Sequence, residues 1–152
     1  MGGIAWSIEK NHFKALKKHP TWGFTYWAFD LHSTVIIPNY DSENIPKEFY
    51  PHAKEVLREL SKRDDIVLIM YTCSHPHEVE EYLKLFKENN INFKYVNENP
   101  EVLTDHNGYG YYESKFYFNV LFEDKAGFDA ENDWYEVIKE IKYQDILNGT
   151  NT

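Results

Sequence analysis

Two apolar runs set the frame of this chain. Ile66-Val67-Leu68-Ile69-Met70-Tyr71 is continuous, the pattern of a strand buried on both faces, as in a parallel sheet. Residues 24–30 (Phe-Thr-Tyr-Trp-Ala-Phe-Asp) are rich in aromatics and suit a second strand. Elsewhere the period changes. Ala53, Val56, Leu57 and Leu60 recur at helical spacing and predict a helix over about 51–63, with Pro51 in its first turn. Val79, Tyr82, Leu83 and Phe86 form the apolar stripe of another helix, opened by Ser74 and Pro76. Further strands are expected at 92–96 and about 117–122. A last helix is expected at about 131–143, with Trp134, Val137, Ile138 and Ile141 inward. A short basic helix over 8–18, with Phe13 and Leu16 on one side, precedes the breakers Pro20 and Gly23. Residues 35–50 read as irregular and 97–114 as a polar loop or small hairpin.

Strands alternating with helices predict an α/β fold, a three-layer Rossmann-like parallel sheet flanked by helices. The expected organisation is an N-terminal extension over 1–23 and one domain over 24–148, carrying a small insertion at about 97–114. In such sheets ligands bind at the C-terminal ends of the strands. Those ends carry Asp30, Thr72 and Glu123-Asp124. An unpaired carboxylate at the end of a buried strand is costly, so Asp30 is the first residue to suspect of chemistry.

Composition narrows the partners. The 10 Phe, 12 Tyr and 4 Trp favour a folded domain. A net charge of −9 argues against a duplex-nucleic-acid or anionic-membrane binder. Lys10, Lys14, Lys17 and Lys18 read as a solvated helix face. The single cysteine, Cys73, has no internal disulfide partner and fits a reducing compartment, where it reads as a small core residue. No apolar signal-peptide core or membrane span is visible, so a cytoplasmic protein is expected.

Carboxylates at neighbouring strand ends make a hard oxygen site that suits magnesium. A carboxylate beside such a metal can also attack phosphorus. The transferred phosphoryl oxygens then need a hydroxyl and a lysine, which Thr72 and Lys115 could supply. The chain has no Gly-rich nucleotide loop, which disfavours a P-loop kinase.

The arrangement resembles the haloacid dehalogenase (HAD) superfamily of phosphohydrolases. Asp30-Leu31-His32-Ser33-Thr34 is similar to its Asp-x-Asp-x-Thr motif, and Ile66–Thr72 to its strand ending in Thr or Ser. Lys115 is the best-placed motif lysine, with Lys125 as the alternative. Glu123-Asp124-Lys125-Ala126-Gly127-Phe128-Asp129 is similar to the acidic fourth motif. The resemblance covers about 24–143 and implies magnesium-dependent hydrolysis of a phosphomonoester through an aspartyl-phosphate. Asp30 would be nucleophile and metal ligand, and the His32 carbonyl a second ligand. Asp124 would bind the metal, supported by Glu123, Asp129 and Thr34. Thr72, Cys73, Ser74 and Lys115 would hold the phosphate. His32 replaces the family's acid/base Asp. Histidine can do that work, or the substitution leaves the protein slow or inactive. Ser33 replaces the usual small Gly.

Each residue also has a plainer reading. Asp30 and Thr72 can cap local turns, His32 can be an incidental turn residue, and Lys115 a solvated one. His75 and His77, with His52 and His106 elsewhere, match no standard zinc spacing. Beside a helix N-terminus, His75 or His77 could instead touch an anionic substrate. Tyr109, Tyr111 and Tyr112 suit a packed flap or a base-stacking surface. Without room for a large cap, the resemblance implies an open site for nucleotide or nucleic-acid-end phosphates, or one closed by a homo-oligomer partner. A catalytically impaired HAD-like binding or structural subunit is the alternative function.

Overall fold

A computed structural model describes residues 2–39, 41, 43–102 and 115–149. His106, Tyr109, Tyr111, Tyr112 and most of the expected insertion lie outside them. Strands β1 (Thr25–Asp30), β2 (Ile66–Tyr71), β3 (Tyr95–Val96) and β4 (Val120–Phe122) form one sheet in the order β3-β2-β1-β4. Every pairing is parallel. Helices α2 (Ala53–Ser61) and α3 (Pro76–Glu88) connect β1 to β2 and β2 to β3, and α4 (Asp133–Leu147) follows β4. The protein is therefore an α/β domain with a Rossmann-like parallel sheet.

Period-2 alternation decides which side chains meet. In register, Trp27 faces Leu68 and Val120, and Phe29 faces Met70 and Phe122. These residues are buried in the main core with Val56, Leu57 and Leu60 of α2, Phe86 of α3 and Trp134 of α4. Phe29 stacks on Phe122 at 4.4 Å, and Phe122 stacks on Trp134 at 5.5 Å. The abundant aromatics thus form a continuous stack from the central strand to the last helix, with offset or edge geometry of the favoured kind. The chain leaving β3 must cross back past β2 and β1 to reach β4. Its described parts pack on the other side of the sheet. Glu101 accepts the phenol O–H of Tyr26 at 3.0 Å and of Tyr95 at 2.6 Å, and Tyr26 meets Tyr117 edge-on.

The N-terminal segment is part of the domain. The helix expected over 8–18 begins earlier. α1 starts as Gly3–Ile8, widens to π-helical winding over Glu9–Lys14 and continues as Ala15–Lys18. Ile4, Ala5 and Ile8 supply the missing buried face, and α1 packs on α4. The wide turn places His12 fully inside, 2.6 Å from the Thr25 hydroxyl and 3.1 Å from Asp65.

Two strands are shorter than the pattern suggests. At β4 the Asn119 side chain accepts the Tyr26 N–H at 2.9 Å, replacing a ladder carbonyl. Residues 92–94 approach β2 with one bond, Lys94 N–H to the Leu68 carbonyl at 2.9 Å. Among the described residues no helix is long and apolar enough to cross a membrane.

Candidate acidic site at the strand ends

β1 ends on Asp30, and one residue past the paired Phe29 and Phe122 each strand carries a carboxylate, Asp30 and Glu123. With Asp124 these groups bring one oxygen each within 4.8 Å of one another. All three are half-buried. Among the described residues none of them has an ion-pair partner.

The loop after β1 builds the other side of the site. The N–H groups of Thr34, Val35 and Ile36 all reach the Leu31 carbonyl, at 3.2, 2.8 and 2.9 Å. Buried Val35 and Ile36 anchor this turn in the core. Ser33 sits at φ 65°, left-handed backbone in which glycine is at ease. The turn returns Thr34 to the strand end. Its hydroxyl donates to Asp30 Oδ2 at 3.3 Å and accepts the Asp124 N–H at 3.1 Å. Trp134 Nε1 donates to the Thr34 carbonyl at 2.8 Å and fixes the turn from below.

Electrostatics mark the same place. Burial, then the charges of Glu123 and Asp124, push the Asp30 carboxyl up to about 6, while hydrogen bonds from Thr34 and the Leu31 backbone pull it the other way. Burial and its hydrogen bond with Asp124 also raise Glu123. Perturbed carboxylates converging at a strand edge mark candidate functional sites. The all-oxygen set, which forms no salt bridge among the described residues, fits a hard divalent cation, which would relieve the mutual repulsion.

β2 delivers Thr72 to the same edge. Thr72 is nearly buried, and its Oγ1 lies 2.8 Å from Ser74 Oγ. The Ser74 N–H also donates to Thr72 Oγ1, at 3.2 Å. Asn97 holds Thr72 from the β3 side. Its Oδ1 accepts the Thr72 N–H at 2.8 Å, and its Nδ2 donates to the Thr72 carbonyl at 2.7 Å. The side-chain amide thus extends the β2–β3 ladder by one step past the last paired residues. Asn97 adopts φ 56°, a conformation asparagine tolerates.

Other candidates lie elsewhere or differ from expectation. His32 Nε2 is 2.7 Å from the hydroxyl of Tyr82 on α3, and the rings meet edge-on at 5.6 Å. Burial, then Glu78 and Glu81, push the Tyr82 phenol up to about 12. Asp129 is not in the cluster. Its carboxylate accepts the Glu131 N–H at 3.1 Å and the Asn132 amide at 2.8 Å, organising the turn before α4. The Lys115 ammonium lies over the Phe118 ring at 5.8 Å, and neither it nor Lys125 forms an ion pair among the described residues. Cys73, expected in the core, is exposed, because the chain has by then left the sheet. His75 and His77 stack on each other at 5.9 Å.

Tyr82 and Asn97 carry no sequence signature of a site. Tyr82 occupies a core position of a helical stripe, and Asn97 a turn, so neither pattern distinguishes them from ordinary structure.

No family model matches the chain, and no curated protein matches it. A solved structure of a conserved protein from Bacteroides thetaiotaomicron is similar, with a TM-score of 0.57 and 19% identity over 85% of this chain and 93% of that one. At that identity the likeness shows the fold alone.

Proposed function

We propose that this chain is a magnesium-dependent phosphomonoester hydrolase of the HAD type, working in the cytoplasm on an open site accessible to nucleotide or nucleic-acid-end phosphates. One observation carries the reading. Asp30, Glu123 and Asp124 converge within 4.8 Å at the C-terminal ends of adjacent parallel strands, with no salt bridge to any of them among the described residues. Asp30 and Asp124 would hold the ion, with Glu123 beside them. Bound there, magnesium would neutralise the cluster and draw charge from phosphoryl oxygens.

In this reading the Asp30 oxygen attacks phosphorus, the ester oxygen leaves, and water then releases phosphate from the aspartyl-phosphate. Thr34 orients Asp30 through the hydroxyl that it shares with Asp124. Thr72 and Ser74, just past the end of the neighbouring strand β2, offer a pair of hydroxyls for phosphoryl oxygens. Lys115, or Lys125, would have to swing toward the phosphate to pair with it.

A second reading, a HAD-like subunit that binds without turnover, is favoured by two features. In the motif that the chain resembles, His32 takes the position of the acid/base Asp, and among the described residues Lys115 forms no ion pair with Asp30. Phosphate release from a panel of phosphomonoesters, with and without magnesium, separates the two. Magnesium-dependent release by the wild type that disappears in Asp30→Asn supports the enzyme. No release from any ester, with no heat of magnesium binding by calorimetry, rejects it.

A further inference from the structure

Tyr82 is fully buried, and among the described residues its hydroxyl has one hydrogen-bond partner, His32 Nε2 at 2.7 Å. A buried phenol must place its proton on an acceptor or leave a donor unsatisfied, and unsatisfied buried donors are rare. The acceptor in reach is the lone pair of Nε2. A neutral imidazole carries one proton, so if Nε2 accepts, the proton sits on Nδ1. The alternative, Nε2–H donating to the phenol oxygen, satisfies that oxygen but orphans the buried O–H. His32 is only partly buried, and its Nδ1 makes no hydrogen bond among the described residues.

We infer that Tyr82 is a positioning residue that fixes His32 in the Nδ1–H tautomer, so that His32 offers the site a hydrogen-bond donor. The functional consequence rests on the phosphohydrolase reading above, whereas the tautomer does not. The second nitrogen of a histidine ring commonly decides which proton the first presents. Here the deciding group is a core phenol, held by α3 against the turn that follows β1. Where a phosphoester comes within reach of Nδ1, the Nδ1–H would donate toward an oxygen of the phosphoryl or leaving group and keep its proton, since losing it would leave an imidazolate. Charge growing on that oxygen is thereby stabilised by a fixed dipole. This role differs from that of a carboxylic acid at the same position, which hands its proton over.

The test is nitrogen-15 spectroscopy of the full chain labelled at histidine, at a pH where imidazoles are neutral. His32→Gln identifies the His32 signals. The expected wild-type spectrum shows one tautomer, with the proton on Nδ1, and Tyr82→Phe loses that single form. A proton on Nε2, a mixture in the wild type, or a Tyr82→Phe spectrum like the wild type's overturns the inference. If Tyr82→Phe does not fold, the wild-type spectrum decides alone. With magnesium and a phosphomonoester, Tyr82→Phe is expected to lower kcat roughly 10-fold with KM little changed, as for outer-shell partners of site histidines. An unchanged kcat overturns the positioning role. A wild type that turns over nothing defeats the phosphohydrolase reading while the spectrum still decides the tautomer.

Discussion

The hydroxyl of Thr34 accepts the backbone N–H of Asp124 at 3.1 Å, joining residues 90 positions apart in the chain. The same hydroxyl donates to Asp30 at 3.3 Å. One buried oxygen therefore sets the spacing of two carboxyl-bearing segments on different strands. Thr34→Val keeps the shape and removes the hydroxyl. It leaves the Asp124 N–H without its acceptor, a loss of about 1–3 kcal/mol for a buried donor. The expected outcome is a lower chemical-denaturation midpoint together with weaker magnesium binding by calorimetry. Full stability with unchanged magnesium affinity would show that Thr34 does not organise the cluster.

Removing the Asp30 charge should stabilise the ion-free protein. The Asp30 carboxyl is pushed up to about 6, chiefly by burial and then by Glu123 and Asp124. Its unfolded value is about 3.9. Between these values the folded state holds a proton that the unfolded chain has released. The group's favourable contribution is thus present below the unfolded value and is lost as pH rises through about 6. Asp30→Asn imitates the protonated state at every pH. It should melt higher than wild type well above pH 6, by something on the order of 1 kcal/mol after allowance for solvent screening. The gain should vanish near about pH 4. Magnesium should reverse the order by stabilising the wild type alone. Thermal melts at two pH values, with and without magnesium, check all three statements, and a variant less stable than wild type without the ion would contradict the repulsion argument.

A second polar assembly, at the opposite ends of the strands, has a structural role. Arg63 grips Asp65 through Nε and Nη2 at 2.8 and 3.0 Å, and Asp145 through Nη1 and Nη2 at 2.8 and 3.0 Å. His12 also reaches Asp65, so α1, the turn before β2 and α4 are tied together. Burial alone would raise the Asp65 carboxyl, but His12 and Arg63 outweigh it and hold it well below the usual carboxylate range. A depressed carboxylate stabilises above its unfolded value and loses that contribution as pH falls through its folded value. Arg63→Met takes the ion-pair partner from the buried Asp145 and leaves Asp65 with His12 alone, and should cost about 2–4 kcal/mol at neutral pH. Lysine should restore little, having no planar fork. Denaturant titrations of both variants test this, and a loss that does not shrink as the solution is acidified would exclude the charge network as its cause.

The sequence makes the sheet legible because its signals are local. Ile66–Tyr71 is apolar throughout, and the strand occupies those residues. Thr25–Asp30 and the helices at 53–61 and 76–88 likewise follow periodicity, Pro51 and Pro76. The approach of Asp30 to Glu123 and Asp124 follows from adding one topological rule, that strand ends of a parallel sheet share an edge. What is not legible depends on contacts between distant side chains. Asp129 has the right type and spacing for the cluster, yet the turn before α4 takes its carboxylate. The apolar face of Ile4, Ala5 and Ile8 joins the core only because α4 lies opposite it. Neither fact has a local signature.

Asn97 gives the last prediction. Its amide pairs with both the N–H and the carbonyl of Thr72, at 2.8 and 2.7 Å, beyond the end of the β2–β3 ladder. The backbone of Thr72 is thereby held at the edge, while its hydroxyl stays against Ser74. Asn97→Asp keeps the acceptor and loses the donor, setting a carboxylate oxygen against the Thr72 carbonyl. Asn97→Gly loses both contacts but suits the left-handed backbone at φ 56°. If Thr72 receives the phosphoryl group, both variants should raise KM for a phosphomonoester. Asp should do so more, because it also brings a negative charge toward an anionic substrate. Each lost hydrogen bond is worth about 0.5–1.5 kcal/mol, so the glycine variant, losing both, should weaken binding by roughly 5- to 150-fold. Steady-state kinetics, with melting curves to exclude unfolding, measure this directly. Equal KM values for wild type and both variants would place the phosphate away from the β2 end.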